Sequence, residues 1–493
     1  MTAYPDTCAP PALDPEHFRR LAHEAVDLVA DYLAGIRAAP VFHPMSPAER
    51  ATLIQEPLGS GGVAPETVLE RFRTAVLPHA MGNGHPRFFG WVNSPPAPIG
   101  VVADFLAAAL NPSCAGGDHA AICVERAAVG WLMELIGFPA EGSMGLLVSG
   151  GSAATLIALA AARHRAALQD GWNVRTEGLQ HARPGLRLYV SPDGHSCIQK
   201  AAEILGLGIE AIYRVASDES HRMDVSALRA AVAADRAAGK RPFCVAASAG
   251  TVGTGAIDPL AEIAEVCAAE RLWLHVDGAY GAVGAVLPSH RARYAGLARA
   301  DSIALDPHKW LSVPVECGAV LVRDGRLLRE TFSFVPDYLR TEADRGFGGL
   351  PWYSEYGIQQ TRGFRALKLW MTLQHLGRDG VRDLVARHVT LAQRLAGLVD
   401  AAPDLERLGE VELSIVCFRC VPPRLRGNDR ALDAFNKRVM EEVQASGAAF
   451  LTQTTLGDRF ALRACVLHYA TTESDLAALV ETVRETGARL AAD

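Results

Sequence analysis

Residues 300–310 read ADSIALDPHKW, a short apolar run that leads into a histidine and a lysine. A short apolar run bounded by polar and turn-forming residues indicates a buried strand. Lys309 follows this strand closely, where its amine can be partly desolvated and made nucleophilic. A surface lysine in a turn would look the same in isolation, so the rest of the sequence decides between the two interpretations.

The middle third of the chain alternates strand-like and helical segments, which predicts a mostly parallel sheet covered by helices. In such sheets, ligands bind beyond the carboxyl ends of the strands. Four chemically reactive side chains stand at or just past predicted strand ends, namely His195, Thr251, Asp277 and Lys309. We expect them to meet in one site, although each alone could be a helix cap or a turn residue.

Residues 149–159 read SGGSAATLIAL, in which two glycines and a serine precede a helix rich in alanine and leucine. Consecutive glycines let backbone amides approach an anion, and the start of a helix adds free N–H groups and the positive end of its dipole. The pattern predicts a phosphate site. It is also an ordinary way to start a helix, and it matches neither the P-loop nor the dinucleotide fingerprint.

The composition is that of an ordinary globular protein. The 493 residues include 48 lysines and arginines against 55 acidic residues, a formal charge of -7, which argues against a nucleic acid partner. No apolar run has the length of a membrane span, and the first residues do not resemble a secretion signal. Ten dispersed cysteines favour a cytoplasmic location. We expect no metal site, because the one CxxC pair, Cys417 and Cys420, lies in a strand-like run that indicates packing.

The chain is expected to form three parts. Residues 1–85 contain an amphipathic helix, which Asp14 can cap and Pro15 can start, and then a stretch rich in proline and glycine. The apolar face of this arm needs a partner surface, either on its own subunit or across a dimer interface. Residues 86–371 are expected to form a large domain, and residues 372–493 a small α+β domain.

The reactive residues together meet the needs of pyridoxal 5'-phosphate. Lys309 could bond covalently to the aldehyde of this cofactor, and Asp277 could keep the pyridine nitrogen protonated so that the ring accepts electrons. His195 could stack on the ring, while the amides of Gly151 and Ser152 could hold the phosphate.

Several segments also resemble a known family. They are VSGGSAATL, SPDGHSCIQKA, HVDGAYGA, DPHKW and FRALKLW, in this order along the chain. Together they are similar to the group II pyridoxal phosphate-dependent amino acid decarboxylases, the family of aromatic amino acid, histidine and glutamate decarboxylases. The resemblance implies the aspartate aminotransferase-like fold, fold type I, with a mostly parallel seven-stranded sheet. It also implies a homodimer with active sites at the subunit interface.

The resemblance assigns roles around the cofactor. It makes Lys309 the residue bonded to the cofactor, Asp277 the partner of the pyridine nitrogen, and His195 the stacking histidine. The remaining positions that match cofactor contacts are Gly151, Ser152, Thr251, Ala279 and His308. Asp306 departs from the pattern, because aromatic-substrate members carry an asparagine there, and a carboxylate beside a phosphate is repulsive.

The resemblance also assigns substrate and loop residues. Residues 332–352 lack periodicity, which is typical of a functional loop, and Tyr338 within them matches the tyrosine that protonates the substrate carbanion. Thr361 matches a selectivity residue contributed by the partner subunit. One wall of the substrate pocket corresponds to Trp91, Val92, Asn93 and Ser94.

The expected reaction is α-decarboxylation of an L-amino acid, with an aromatic side chain favoured, to the amine and carbon dioxide. An oxidative route to an aldehyde is an alternative, but relatives that follow it commonly replace the loop tyrosine with phenylalanine, whereas Tyr338 is present here. An aminotransferase is a second alternative, and Arg463 could then grip the substrate carboxylate. A non-catalytic relative is disfavoured by the presence of Lys309, Asp277 and His195.

Overall fold

The computed structural model describes residues 13–181, 183–335 and 351–492. The larger sheet contains β1 (Met144–Val148), β2 (Leu186–Val190), β3 (Ile212–Arg214), β4 (Arg241–Ser248), β5 (Trp273–Asp277), β6 (Ser302–Leu305) and β7 (Gly318–Val322). The smaller sheet contains β8 (Leu405–Arg407), β9 (Ile415–Cys420), β10 (Thr452–Leu456) and β11 (Arg459–Cys465).

The helices of the described ranges lie before, between and after these strands. They are α1 (Pro15–Gly35), α2 (Pro47–Gln55), α3 (Pro65–Arg71), α4 (Pro98–Leu110), α5 (Ala120–Ile136), α6 (Gly151–Gln169), α7 (Val174–Glu177), α8 (Ser196–Ile204), α9 (Val225–Ala237), α10 (Leu260–Glu270), α11 (Gly325–Phe332), α12 (Arg365–Ala401), α13 (Asp429–Ser446) and α14 (Glu473–Ala492).

The strands of the larger sheet follow the order β1-β7-β6-β5-β4-β2-β3. Strand β7 is antiparallel to both of its neighbours, β1 and β6, whereas the other pairs are parallel. The smaller sheet, in the order β10-β11-β9-β8, is antiparallel throughout. The mostly parallel seven-stranded sheet with its helices and the small antiparallel sheet confirm the α/β architecture expected of fold type I.

Successive residues of the central strands point to opposite faces of the larger sheet, and each face has its own apolar core. Leu147, Val245 and Ile303 belong to the core that α5 and α10 cover, while Leu146 and Cys244 belong to the core that α6 and α8 cover. Because both faces are covered, the functional groups at the ends of the strands sit on a rigid base.

Helix α1 begins where the sequence predicts it. The Asp14 side chain accepts hydrogen bonds from two backbone amides of the first turn, and Pro15 is the first helical residue. No residue of α1 is buried, and the large apolar side chains of Phe18, Val26 and Val29 are exposed. The described part of this chain therefore leaves an apolar face of α1 uncovered.

Helix α12 consists of two helical stretches that meet at Gly377, which has a φ of 63°. A side chain would be strained at this angle, so the glycine permits the change of direction. Helix α12 packs on α4 and α5 near the larger sheet and on α14 and β8 near the smaller one. It thereby connects the two sheets.

The CxxC pair is packing, as the sequence indicated. Cys417 lies in a core shared with the larger sheet, whereas Cys420 lies in the core of the smaller sheet, on the opposite face of β9. The cysteines of the described ranges are all free. None of the described helices combines the length and the apolar character that a bilayer span requires.

Candidate active site

The carboxyl ends of the central parallel strands open into one cavity of about 460 Å³. Asp277 ends β5, and His195 and Lys309 lie on the segments that follow β2 and β6. Because β2, β4, β5 and β6 are consecutive and parallel, their carboxyl ends share one edge. The sequence-predicted residues that line the cavity are Trp91, Val92, Asn93, Gly151, Ser152, His195, Asp277, Ala279, His308 and Lys309.

Lys309 lies in a tight turn that backbone bonds and a buried neighbour hold in place. Its amide donates to the carbonyl of Asp306 at 2.8 Å. The next residue, Trp310, is fully buried, stacks on Tyr280 and donates from Nε1 to Nδ1 of His388 at 3.0 Å. The Lys309 amine lies 2.9 Å from Oδ2 of Asp306. The turn thus presents a positioned, partly desolvated amine to the cavity.

Asp277 is buried at the end of β5. One carboxylate oxygen accepts the amide of Ala279 at 3.2 Å, and the other lies 3.8 Å from Sγ of Cys197. Burial, together with the charge of Asp277, raises the pKa of Cys197 to about 12, so its thiol stays protonated. Ligand atoms of His195, Cys197 and Asp277 lie within 4.8 Å of one another.

His195 caps helix α8 and also lines the cavity. Its Nδ1 accepts the amide of Cys197 at 3.1 Å, so the proton of the neutral ring resides on Nε2. Desolvation lowers the pKa of His195, which favours the neutral ring. A neutral imidazole whose plane is fixed by the cap can lie against an aromatic ring. The capping and stacking roles of this residue are therefore compatible.

The glycine cup is defined as Gly150, which is the N-cap residue of α6, together with Gly151 and Ser152, the first two residues of that helix. The first turn of a helix leaves amides without intrahelical partners and carries the positive end of the dipole. A Cβ atom at Gly151 would come within 3.1 Å of Oδ2 of Asp306, so a larger residue would fill the space beside these amides. The cup is suited to hold an anion.

A third glycine, Gly318, which the sequence did not single out, supports the cup from β7. We expect Gly318→Ala to weaken binding of pyridoxal 5'-phosphate at least about tenfold, because overpacking a close contact displaces the backbone. A Cβ atom at Gly318 would lie 2.4 Å from Cα of Gly150. The dissociation constant, followed by tryptophan fluorescence, checks this. Gly130→Ala in α5 is the matched control, since its methyl group meets nothing within 4 Å; equal affinities would contradict the prediction.

Trp91 is held against the cavity by the smaller sheet. It has a left-handed φ of 45°, which costs energy in a residue with a large side chain. Its amide donates to Oγ1 of Thr452 at 3.2 Å, and its carbonyl accepts from Nη1 of Arg463 at 2.9 Å. Nε of Arg463 donates to the carbonyl of Gly253 at 3.2 Å. Arg463 is not among the residues that line the cavity; its Nε and Nη1 are bonded to backbone carbonyls, whereas its buried Nη2 has no hydrogen-bond partner among the described residues.

Three of the predicted residues do not line the cavity. Ser94 lies behind it, and its hydroxyl donates to the carbonyl of His308 at 3.3 Å. Thr251 is buried in a turn, where its Oγ1 accepts a backbone amide. Thr361 is exposed on the surface of the chain. Tyr338 lies outside the described residues.

A buried ion pair between Glu125 and Arg362, which sequence reasoning missed, supports the start of the cup. Each side chain is 1% exposed. Glu125 accepts the amide of Leu147 at 2.9 Å, and Arg362 donates to the carbonyls of Leu147 and Cys114 at 2.6 and 2.9 Å. Leu147 lies near the end of β1, just before the glycine cup. The ion pair of Glu125 and Arg362 therefore fixes the end of the strand that leads into the cup. Nothing in either residue's local sequence signals this role.

The cavity fits pyridoxal phosphate in its size and in its donor set. A primary amine, a buried carboxylate, a neutral imidazole and a set of free amides beside glycines bound the same space. The exception is Asp306, whose side chain is 3% exposed and whose Oδ1 has no hydrogen-bond partner among the described residues.

Comparison with known proteins agrees with this donor set. Residues 52–421 match the model of the pyridoxal-dependent decarboxylase conserved domain. The chain is 33% identical to an aromatic-L-amino-acid decarboxylase of Bacillus atrophaeus, over 96% of each chain. It is 33% identical to an L-2,4-diaminobutyrate decarboxylase of Rhizobium meliloti, over 96% of this chain and 92% of the relative. The solved structure of Oryza sativa TDC with PLP and tryptamine superposes with a TM-score of 0.90 at 26% identity, over 98% and 100%.

Proposed function

The chain belongs to the family of pyridoxal-dependent decarboxylases, and from this premise we propose how its residues divide the work. It is an amino acid decarboxylase that uses pyridoxal phosphate. The observation that carries the assignment of roles is the convergence of Lys309, Asp277, His195 and the glycine cup on one cavity.

When bound, the cofactor supplies a ring that takes up the electron pair left by the departing carbon dioxide. Lys309 would provide the amine that bonds to the aldehyde carbon of the cofactor, and this amine would be released when the substrate amine takes its place. The carboxylate of Asp277, buried at the end of β5, would keep the pyridine nitrogen of the cofactor protonated. The ring of His195 would stack on the cofactor ring, and the amides of Gly151 and Ser152 would hold the phosphate.

The decarboxylase and aminotransferase alternatives differ in their products. Arg463, the arginine that an aminotransferase would use for the substrate carboxylate, is instead bonded to the carbonyls of Trp91 and Gly253. Incubating the holoenzyme with single L-amino acids, and measuring carbon dioxide and amine by mass spectrometry, tests the proposal. Amino transfer that requires a keto acid, without release of carbon dioxide, would refute it.

We expect Tyr338→Phe to lower the yield of amine at least about tenfold and to raise the yields of aldehyde and peroxide. The phenol of Tyr338 is proposed to return a proton to the α carbon, so its loss leaves the carbanion available to dioxygen. Amine, aldehyde and peroxide are quantified from the same reactions, and Tyr356→Phe serves as a control outside the cavity. An unchanged product ratio would remove Tyr338 from this role.

The substrate is proposed to carry an aromatic side chain. The relative from Bacillus atrophaeus is an aromatic-L-amino-acid decarboxylase, and the ring of Trp91, 49% exposed, stands at the cavity where a substrate ring could stack. The screen of single amino acids tests this directly. Preferential turnover of 2,4-diaminobutyrate, the substrate named for the Rhizobium relative, would contradict it.

The functional unit is proposed to be a homodimer. Besides α1, helix α4 exposes Val102, Phe105 and Leu110, so two helices near the N-terminus carry uncovered apolar surface. A second copy of the chain would cover these faces and would bring Thr361 to the neighbouring site. Sedimentation velocity of the holoenzyme tests the dimer, and a monomer at micromolar concentration would refute it.

The remaining proposals concern location and domains. The free cysteines of the described ranges suit a reducing cytoplasm.

Residues 86–371 are proposed as the cofactor-binding domain and residues 372–493 as the small domain, with residues 1–85 as the arm at the dimer interface. The larger sheet lies between residues 144 and 322, and the smaller sheet between residues 405 and 465, which supports this division.

A further inference from the structure

Asp306 is the residue whose surroundings fit the proposed cofactor least. Its carboxylate lies between the Lys309 amine, 2.9 Å from Oδ2, and the His308 ring, 3.9 Å from the same oxygen. Oδ2 would also lie 3.1 Å from a Cβ atom built on Gly151, which places it beside the glycine cup. Asp306 therefore occupies the same positive surroundings that would attract a phosphate.

Two anions cannot share these surroundings without compensation. The effective dielectric constant of a buried site is low, so a phosphate dianion in the cup repels a carboxylate a few ångströms away. Oδ1 of Asp306 is buried and accepts no hydrogen bond from the described residues, so none of these residues stabilises a negative charge on this oxygen. In addition, a bond between Lys309 and the cofactor aldehyde would replace the free amine that now lies 2.9 Å from Asp306.

We propose that Asp306 takes up a proton when the cofactor phosphate binds, so that cofactor affinity is coupled to pH through this residue. The protonated carboxyl group can then donate a hydrogen bond to a phosphate oxygen, which turns a repulsive contact into an attractive one. Asp306 thus acts as a positioning residue for the phosphate. This inference rests on the proposed cofactor site.

Other charged and titratable groups face Asp306 and also respond to pH. They come from the turn after β6, from the end of β5, from α8 and from the segment before β7, and they are Lys309, His308, Asp277, His195, Cys197 and Cys317. The first turn of α6 adds its dipole. These groups are present in an Asp306→Asn variant as well, so the difference between the two proteins isolates the contribution of Asp306.

The test measures the dissociation constants of pyridoxal 5'-phosphate and of pyridoxal, which lacks the phosphate, for the wild-type and Asp306→Asn apoproteins between about pH 6.5 and about pH 8.5. For pyridoxal 5'-phosphate, we compare the slopes of the logarithm of the dissociation constant against pH. The slope of the wild-type protein is expected to exceed that of the variant by about one, which corresponds to the uptake of one proton. With pyridoxal, the two proteins are expected to show the same slope. Asp306→Ser, which also lacks a titratable group, replaces the asparagine variant if that protein fails to fold.

The outcomes separate the inference from the proposed function. Equal slopes for both proteins with pyridoxal 5'-phosphate would overturn the role of Asp306 and leave the cofactor site intact. The slope of the logarithm of the dissociation constant against pH could also be steeper for the wild-type protein when pyridoxal is the ligand. This result would overturn the link to phosphate, because proton uptake would then accompany the reaction of Lys309 with the aldehyde and would not require the phosphate. Absence of binding by the wild-type protein would refute the proposed cofactor site itself.

Discussion

Lys309→Ala is expected to lower the rate of carbon dioxide release at least about a thousandfold, because the variant lacks the amine that holds the cofactor aldehyde and exchanges with the substrate. The measurement is single-turnover and steady-state release of carbon dioxide from the best substrate of the screen. A second readout is the mass of the protein after borohydride reduction. The wild-type chain should be heavier by the mass of the attached cofactor, whereas the variant should show the mass of the chain alone.

Lys200→Ala provides the matched control for this experiment. Lys200 lies in α8 with its side chain exposed, and it is not among the residues that line the cavity. Its replacement is expected to change neither the release of carbon dioxide nor the mass after reduction. If Lys309→Ala retained a tenth or more of wild-type activity, another amine would have to carry the reaction, and the assignment of Lys309 would be wrong.

Breaking the buried pair of Glu125 and Arg362 is expected to cost about 3–5 kcal/mol in the free energy of unfolding. Arg362→Met leaves the Glu125 carboxylate buried at 1% exposure without its cation, and it removes the donors to the carbonyls of Leu147 and Cys114. Because Leu147 leads into the glycine cup, cofactor affinity is expected to fall as well. Denaturant unfolding of the holoenzyme and a cofactor titration measure the two effects.

The pair of Glu134 and Arg378 on the surface is the control, since both side chains are more than half exposed. Arg378→Met should change the free energy of unfolding by no more than about 1 kcal/mol. The double variant Glu125→Gln/Arg362→Met should be more stable than the sum of the two single changes predicts, because it leaves no unpaired charge. Strict additivity would show that the two side chains act independently.

Much of the site could be predicted from short-range sequence patterns. Asp277 and Lys309 follow apolar runs, and a buried strand that ends in a polar residue is visible as an abrupt change of composition. The cup is visible as adjacent glycines before a helical segment. The Asp14 cap is equally local, because its acceptor oxygen and the amides it binds lie within one turn.

Other parts of the site depend on residues distant in the sequence. Arg463 is 372 positions from the Trp91 carbonyl that it binds, and Cys197 meets the Asp277 carboxylate across 80 positions. Thr251 and Ser94 lie in segments that contribute other residues to the cavity, but their own side chains do not line it. The Ser94 hydroxyl donates to the carbonyl of His308, and Oγ1 of Thr251 accepts the amide of Ala256. The direction of a side chain in a turn is set by contacts that the local pattern does not contain.

The sequence by itself determined the alternation of strands and helices in the middle third of the chain, the amine and carboxylate that the chemistry needs, and the glycines that admit an anion. Hydrophobic periodicity and glycine conformation are local properties, so they can be recognised along the chain. The tertiary structure alone decided that Gly318 packs under Gly150, that Glu125 finds Arg362, and that Asp306 stands between Lys309 and the cup. These contacts arise from strand pairing and helix packing between distant segments, where only the three-dimensional fold determines which charges and which backbones meet.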